Sequence, residues 1–146
     1  MSGCAIGFDF GMRRIGVATG NRISSSAQPL QALTARGGDP DWHRVDALLS
    51  EWKPDALIVG LPLTLDGGEQ AVTRGARAFA RKLEQRSGLP VHLIDERHTS
   101  QEAARRFAEQ RAAGKARRRD AANIDSLAAA VILETWLREA AKAPAG

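Results

Sequence analysis

The chain has 146 residues but only one cysteine, no tyrosine, four phenylalanines and three tryptophans. A lone Cys4 cannot close an intramolecular disulfide or anchor a cysteine-rich zinc site, so a reducing compartment fits. Aromatics make up 5% of the chain, too few for a platform on which nucleic-acid bases stack. No apolar run approaches the length needed to cross a bilayer. The N-terminal stretch has no basic leader, and Asp9 interrupts its apolar residues, so it does not read as a signal peptide. The expectation is a cytoplasmic protein that makes no membrane contact. His43, His92 and His98 show no metal-ligand spacing, Ser24, Ser25 and Ser26 lie in no nucleophile motif, and there is no P-loop.

What remains is a chain of ordinary single-domain length, read as one domain over 1–146 with a frayed tail from about residue 139. Apolar residues are 43% of it, but 26 are alanine, so the core is modest. The net charge of +4 is unevenly spread: residues 1–73 carry net −2 and residues 74–146 net +6. That asymmetry points to a polyanion met by the C-terminal half, or more plainly to a solvated basic helix face.

Residues 4–10 alternate, with Cys4, Ile6, Phe8 and Phe10 on one side and Ala5, Gly7 and Asp9 on the other, which predicts a strand. Gly11 to Arg14 turns the chain into a second strand over 15–19. A third, over 27–33, is weakened by Pro29. Asp39 reads as a helix cap with Pro40 in the first turn, and Trp42, Val45, Leu49 and Trp52 form one apolar stripe. Residues 55–60 read as a strand buried on both faces. A helix follows over about 69–86, with Val72, Ala76, Phe79 and Leu83 inward and Arg74, Arg77 and Arg81 on a basic face. Residues 91–94 read as another short buried strand. Thr99 to Glu102 is a capping box for a helix that Gly114 closes. A basic loop over 115–119 precedes the last helix, from about Asn123 to Ala141. The order β-β-β-α-β-α-β-α-α predicts a mixed five-stranded sheet with helices on its faces, the order of the ribonuclease H-like fold.

Three carboxylates stand in unusual places. Asp9 is mid-strand, where aspartate is disfavoured, and its same-face neighbours Ala5 and Gly7 leave room above it. Glu96 follows the C-terminal end of a strand, where open α/β sheets bind ligands. Asp125 shares a helical stripe with Ala129, Ile132 and Trp136, although a carboxylate in a first turn also serves the helix dipole. If the three converge, they can hold two divalent cations about 4 Å apart for in-line phosphodiester hydrolysis. Their three negative charges and that of the phosphodiester then balance the two ions. Mg²⁺ suits such a set because it takes oxygen ligands and keeps waters.

The stretch Gly7-Phe8-Asp9-Phe10-Gly11-Met12-Arg13-Arg14-Ile15-Gly16-Val17-Ala18 resembles the opening motif of the YqgF family. Val59-Gly60-Leu61-Pro62-Leu63, Asp95-Glu96-Arg97-His98-Thr99-Ser100 and Asp125-Ser126-Leu127-Ala128-Ala129 resemble its later motifs, in the same order across nearly the whole chain. The third motif departs from the family pattern at His98 and Ser100. The resemblance implies a ribonuclease H-like nuclease using Mg²⁺ or Mn²⁺, with Asp9, Glu96 and Asp125 as its metal-binding catalytic triad. It implies a role in 5′-end maturation of precursor 16S rRNA; the family's resolvase label implies branched DNA, a Holliday junction, as the alternative substrate.

Arg13 and Arg14 follow the Asp9 strand and Arg97 adjoins Glu96. Lys115, Arg117, Arg118 and Arg119 precede Asp125. All seven are candidate contacts for a nucleic-acid backbone, the last four being equally readable as a solvated loop. A junction resolvase would act as a dimer, so the oligomer is left between a monomer and a weak homodimer. Two other classes stay open: a nucleotide-binding module, since Gly-Phe-Asp-Phe-Gly before a turn also resembles a phosphate loop, and an assembly factor that holds RNA without cutting it.

Overall fold

The computed structural model describes residues 3–64, 66–95 and 121–142, with side chains of the last segment given over 126–140. In chain order the elements are β1 (Cys4–Asp9), β2 (Arg14–Asn21), β3 (Ser26–Arg36), β4 (Asp39–Pro40), α1 (Trp42–Trp52), β5 (Ala56–Leu61), α2 (Ala71–Ser87), β6 (Val91–Asp95) and α3 (Ala121–Lys142). They form a mixed α/β fold around one sheet of order β4-β3-β2-β1-β5-β6. β1 to β4 pair antiparallel, while β1, β5 and β6 run parallel. The expected helix over residues 99–114 lies outside the described residues.

The sheet has six strands rather than five, and the sixth comes from residues read as a helix start. Gly37 and Gly38 both take left-handed φ values (56° and 84°) and turn the chain back on itself. Asp39 and Pro40 then pair with Arg36 and Ala35. Proline suits this outermost position because no further strand needs its missing N–H. The true cap of α1 is Asp41, whose carboxylate accepts the His43 N–H at 3.0 Å.

The alternation in β1 separates two cores. Ile6, Phe8 and Phe10 pack with Val45 of α1, Ala76, Phe79 and Leu83 of α2, and Leu57 and Val59 of β5. Ala5 packs on the opposite face with Ile58 and with Ala129, Ile132, Leu133 and Leu137 of α3. β5 is buried along its whole length, as its apolar run predicts. β6 differs from expectation: His92 and Leu93 are exposed, because β6 is the last strand and only β5 flanks it among the described residues. Pro29 sits inside β3 at a stretch that β4 does not reach, so its lack of a donor is harmless. α3 continues through Lys142, past the point where a tail was expected.

α3 lies unusually close to the sheet, and two glycines make this possible. A Cβ on Gly7 would lie 2.9 Å from Leu133 Cβ and 3.2 Å from the Ala129 carbonyl oxygen. A Cβ on Gly20 would lie 2.9 Å from a Leu133 methyl and 3.0 Å from one of Leu137. Neither neighbour is the free end of a flexible side chain at Gly7, so the helix itself must shift to admit a methyl group. Gly7→Ala is expected to destabilise the fold by about 1–3 kcal/mol. Urea denaturation would show this as a lower midpoint; an unchanged midpoint would refute the close approach.

Candidate active site

Asp9 is the last residue of β1 and is half-buried. It faces α3, because it shares the side of Gly7, two residues before it. The small neighbours Ala5 and Gly7 are expected to leave room above Asp9; over Gly7 itself α3 takes that space. Space beside Asp9 arises instead across the strands. The register pairs Asp9 with Gly16 of β2 on one side and Gly60 of β5 on the other. Directly paired residues share a face, so the two positions flanking Asp9 carry no side chain. Gly60 in turn pairs with Ile94 of β6.

The position of α3 along β1 follows from three contacts. Gly20, the partner of Ala5, meets Leu133 and Leu137; Gly7 meets Ala129 and Leu133. Val17, the partner of Phe8, donates its N–H to Ser126 Oγ at 2.9 Å. Residue numbers fall along the helix as they rise along β1, so the two run antiparallel. From Gly7 to Asp9 is two strand residues, about 6.6 Å. From Ala129 to residue 125 is four helical residues, about 6 Å in the same direction. Backbone position 125 therefore comes level with the Asp9 end of β1.

Ser126 is fully buried, and its bond to Val17 links residues 109 apart in sequence. The bond falls where the β2–β3 register shifts, between Ile15 and Val17. β3 there opposes the single residue Gly16 with two, Gln31 and Ala32, which is a bulge. The hydroxyl of α3 thus takes a strand donor at the one place where the ladder is interrupted.

β6 reaches Asp95, which pairs with Leu61 one step beyond the Asp9–Gly60–Ile94 level. Glu96 is the next residue in the chain and lies outside the described residues, as do Arg97, His98, Lys115, Arg117, Arg118 and Arg119. The loop leaving β5 is fastened just beyond Gly60. The buried Thr73 hydroxyl donates to the Pro62 carbonyl and accepts the Gln70 N–H at 3.0 Å. Thr64 and Gly68 close the loop with a backbone bond of 3.0 Å. Arg13 stands exposed in the β1–β2 turn and Arg14 exposed at the start of β2, next to the strand end that carries Asp9. The Arg13 carbonyl accepts the Ala35 N–H at 2.8 Å, which fixes the turn against β3.

Gly16, Gly60 and Ser126 were all visible within motifs, yet none was assigned a part. A glycine opposite an aspartate acquires meaning only when pairing is known. The hydroxyl beside Asp125 carried one available signal: a polar residue on an otherwise apolar helix face needs a buried partner.

This geometry has counterparts among known proteins. RuvC of T. thermophilus in complex with a Holliday junction substrate superposes with a TM-score of 0.59 at 19% identity, over 96% of this chain and 97% of that one. The fowlpox virus resolvase bound to Holliday junction DNA gives 0.57 at 14% identity, over 95% and 99%. The fold is thus that of the ribonuclease H-like resolvases. Residues 3–139 match the model of the family described as RuvX, Holliday junction resolvase. A protein of Xanthomonas oryzae pv. oryzae named "Putative pre-16S rRNA nuclease" is 51% identical over 135 residues, 92% of this chain and 87% of its own. One of Xanthomonas campestris pv. campestris with the same name is 51% identical over 132 residues, 90% and 85% of the two chains. The chain belongs to the RuvX family, which is the YqgF family its motifs resemble, and is a nuclease of the hydrolase class.

Removing the Ser126 hydroxyl leaves the Val17 N–H buried without its acceptor. Ser126→Ala is expected to cost about 1–3 kcal/mol of stability and to slow cleavage under conditions where the variant is still folded. Chemical denaturation and a cleavage assay on the folded protein check the two parts separately.

Proposed function

We propose that this chain is a metal-dependent nuclease that hydrolyses phosphodiester bonds of precursor 16S rRNA in the maturation of its 5′ end. Asp9, Glu96 and Asp125 are its catalytic carboxylates. The observation that carries this reading is the Ser126–Val17 bond, which brings the first described turns of α3 to the strand end bearing Asp9. Two family motifs 116 residues apart in sequence, around Asp9 and Asp125, are thereby neighbours.

The donor set fits a hard divalent cation. The candidate ligands are all carboxylate oxygens, which suit Mg²⁺ or Mn²⁺, and the strand positions paired with Asp9 on either side are glycines. No rival group of three His, Cys, Asp or Glu side chains occurs among the described residues. Asp9, Glu96 and Asp125 would hold two such ions, which when bound neutralise the scissile phosphate and make water a competent nucleophile. Arg13 and Arg14 supply charge for the flanking phosphates, and Arg97, Lys115, Arg117, Arg118 and Arg119 extend that surface. Of the described aromatic side chains, Phe8, Phe10 and Trp42 surround Phe79 at centroid distances of 5.5–5.7 Å, Trp52 packs at the edge of the same core, and Trp136 stacks on His92 at 5.2 Å. Binding therefore reads backbone and shape more than bases.

A second reading, resolution of branched DNA, is favoured by the junction-bound structures that share this fold. The same carboxylates serve either substrate. Symmetric cutting of a junction requires two copies, so a protein that stays monomeric on junction DNA counts against this second reading.

The test uses purified protein with precursor 16S rRNA and with a four-way DNA junction. Asp9→Asn, Glu96→Gln and Asp125→Asn should each lower cleavage by more than about 100-fold, beyond the effect of groups that only orient a ligand. Chelation by EDTA should abolish cleavage and added Mg²⁺ or Mn²⁺ restore it. Full activity in all three variants would overturn the assignment.

A further inference from the structure

Asp9 and Phe10 are adjacent but face opposite sides of the sheet, Asp9 toward α3 and Phe10 into the core under α2. The β1–β2 turn therefore bridges the two faces at the catalytic end. On the Phe10 side it opens into a groove of about 480 Å³ between α2 and the β3–β4 turn. Its floor is the Phe10 ring, with Gly38 and Gly75 packed so closely that a Cβ on either would lie 2.5 or 2.9 Å from a ring carbon. One wall is a stripe of α2 that includes Ala78, Arg81, Lys82 and Gln85; the other is Gly37 to Asp39.

The rim is cationic. Arg81 and Lys82 line it directly, Arg36 precedes Gly37, Arg74 precedes Gly75, and Arg13 follows Met12. Met12 belongs to the same cluster: its carbonyl accepts the Gly38 N–H at 2.9 Å, and its sulfur lies 3.7 Å from a Cβ built on Gly75. The groove holds one carboxylate, Asp39, which is already matched. It accepts the Trp42 Nε1–H at 2.8 Å and lies 3.5 Å from Lys82 Nζ. The Trp42 bond, with help from Lys82, holds its carboxyl below the ordinary aspartate range. On the basic face of α2, Arg77 is bound to Glu69 at 2.8 Å and Arg86 to Asp46 at 2.8 Å. Arg74 and Arg81 are exposed and form no ion pair with any described residue. They stand seven residues apart, about 10.5 Å along one side of the helix.

We propose that this groove carries the phosphodiester backbone of the nucleic-acid substrate away from the cleaved bond, across the β1–β2 turn from Arg13 to Arg74 and Arg81. This rests on the nuclease reading for its direction, though not for its chemistry. Cations with no ion-pair partner among the described residues, one lining the groove and one beside it, are what a polyanion displaces its counterions to meet. Phe10 and Phe79 are 5% and 3% exposed, so the floor offers no ring to a base and the contact is independent of sequence.

The test is fluorescence anisotropy with a labelled precursor 16S rRNA fragment and a labelled DNA junction, in an Asp9→Asn background so that neither is cut. In Arg74→Gln/Arg81→Gln, the slope of log affinity against log salt should flatten by about 1.4–1.8, two phosphate contacts' worth. Arg44→Gln, a change of one exposed cation on α1, should leave the slope within error. With Asp9 restored, the double variant should show a raised KM and an unchanged kcat. An unmoved slope in the double variant, or an equal change in Arg44→Gln, overturns the groove. If the slope flattens but the wild-type protein cuts neither substrate, the groove stands as a binding surface and the nuclease reading fails. If Asp9-dependent cleavage is seen and the slope does not move, the groove alone fails.

Discussion

The close approach of α3 to β1 and β2 is the constraint on which the site depends. Helix and strands meet through Gly7 and Gly20, where the sheet presents backbone instead of side chains. Contact at this distance fixes the register of the helix along the strand, because Leu133 is seated against both glycines and cannot slide without colliding with Ala5 or its neighbours. Ser126 adds a directional bond to what packing alone would leave adjustable. The proposed ligand Asp125, supplied from a helix, needs such over-determination: metal ligands tolerate only small errors in position, and a helix rotating or sliding on a smooth apolar face would not hold one.

The two faces of the sheet have accordingly different work. Large side chains, Phe8, Phe10, Phe79, Ile6 and Leu83, are concentrated under α1 and α2. Alanine and glycine dominate the face under α3, where Ala5, Ala18, Ala56, Ala129 and Ala130 are buried. The alanine-rich composition is therefore not a diluted core. It is a thin layer that lets one helix lie low over the sheet, while the thicker layer opposite supplies most of the apolar burial that stabilises the domain.

The legible parts of the sequence were those governed by a local period. The two-residue alternation of β1 assigned Ile6, Phe8 and Phe10 to one face and Asp9 to the other, and the apolar run of β5 marked a strand covered on both sides. The helical stripes of α1 and α2 were equally clear. What escaped was set by tertiary position. Asp39 and Pro40 have the residue types of a helix start, and two left-handed glycines ahead of them decided otherwise. Val91 to Ile94 has the composition of a buried strand, but burial depends on a neighbour that an outermost strand lacks. Ala5 and Gly7 predict room above Asp9; over Gly7 that space holds α3, and the glycines that flank Asp9, Gly16 and Gly60, are revealed only by strand pairing. Asp9 stands out in the sequence as an aspartate in an otherwise apolar alternation, and the structure puts it at the strand's end; Ser126 stands out less, because its one signal, a hydroxyl on an apolar helix face, has many ordinary explanations.

Charge distribution then acquires a geometric meaning. The excess of cations after residue 74 begins on α2, where acidic partners neutralise some arginines and not others. Exposed pairs are nearly neutral in energy, so stability does not decide which arginines are matched, and an unmatched one can meet a phosphate without first losing a partner. The distinction matters for a phosphodiester chain, which interacts with charge and spacing and not with base identity. If the proposed carboxylates cut and the proposed groove grips the backbone, discrimination between RNA and branched DNA falls to the shape the scaffold admits. The chain shares its fold with a junction-bound resolvase and half its sequence with a protein named for rRNA processing, so the fold by itself does not choose the substrate; the shape of the bound nucleic acid must.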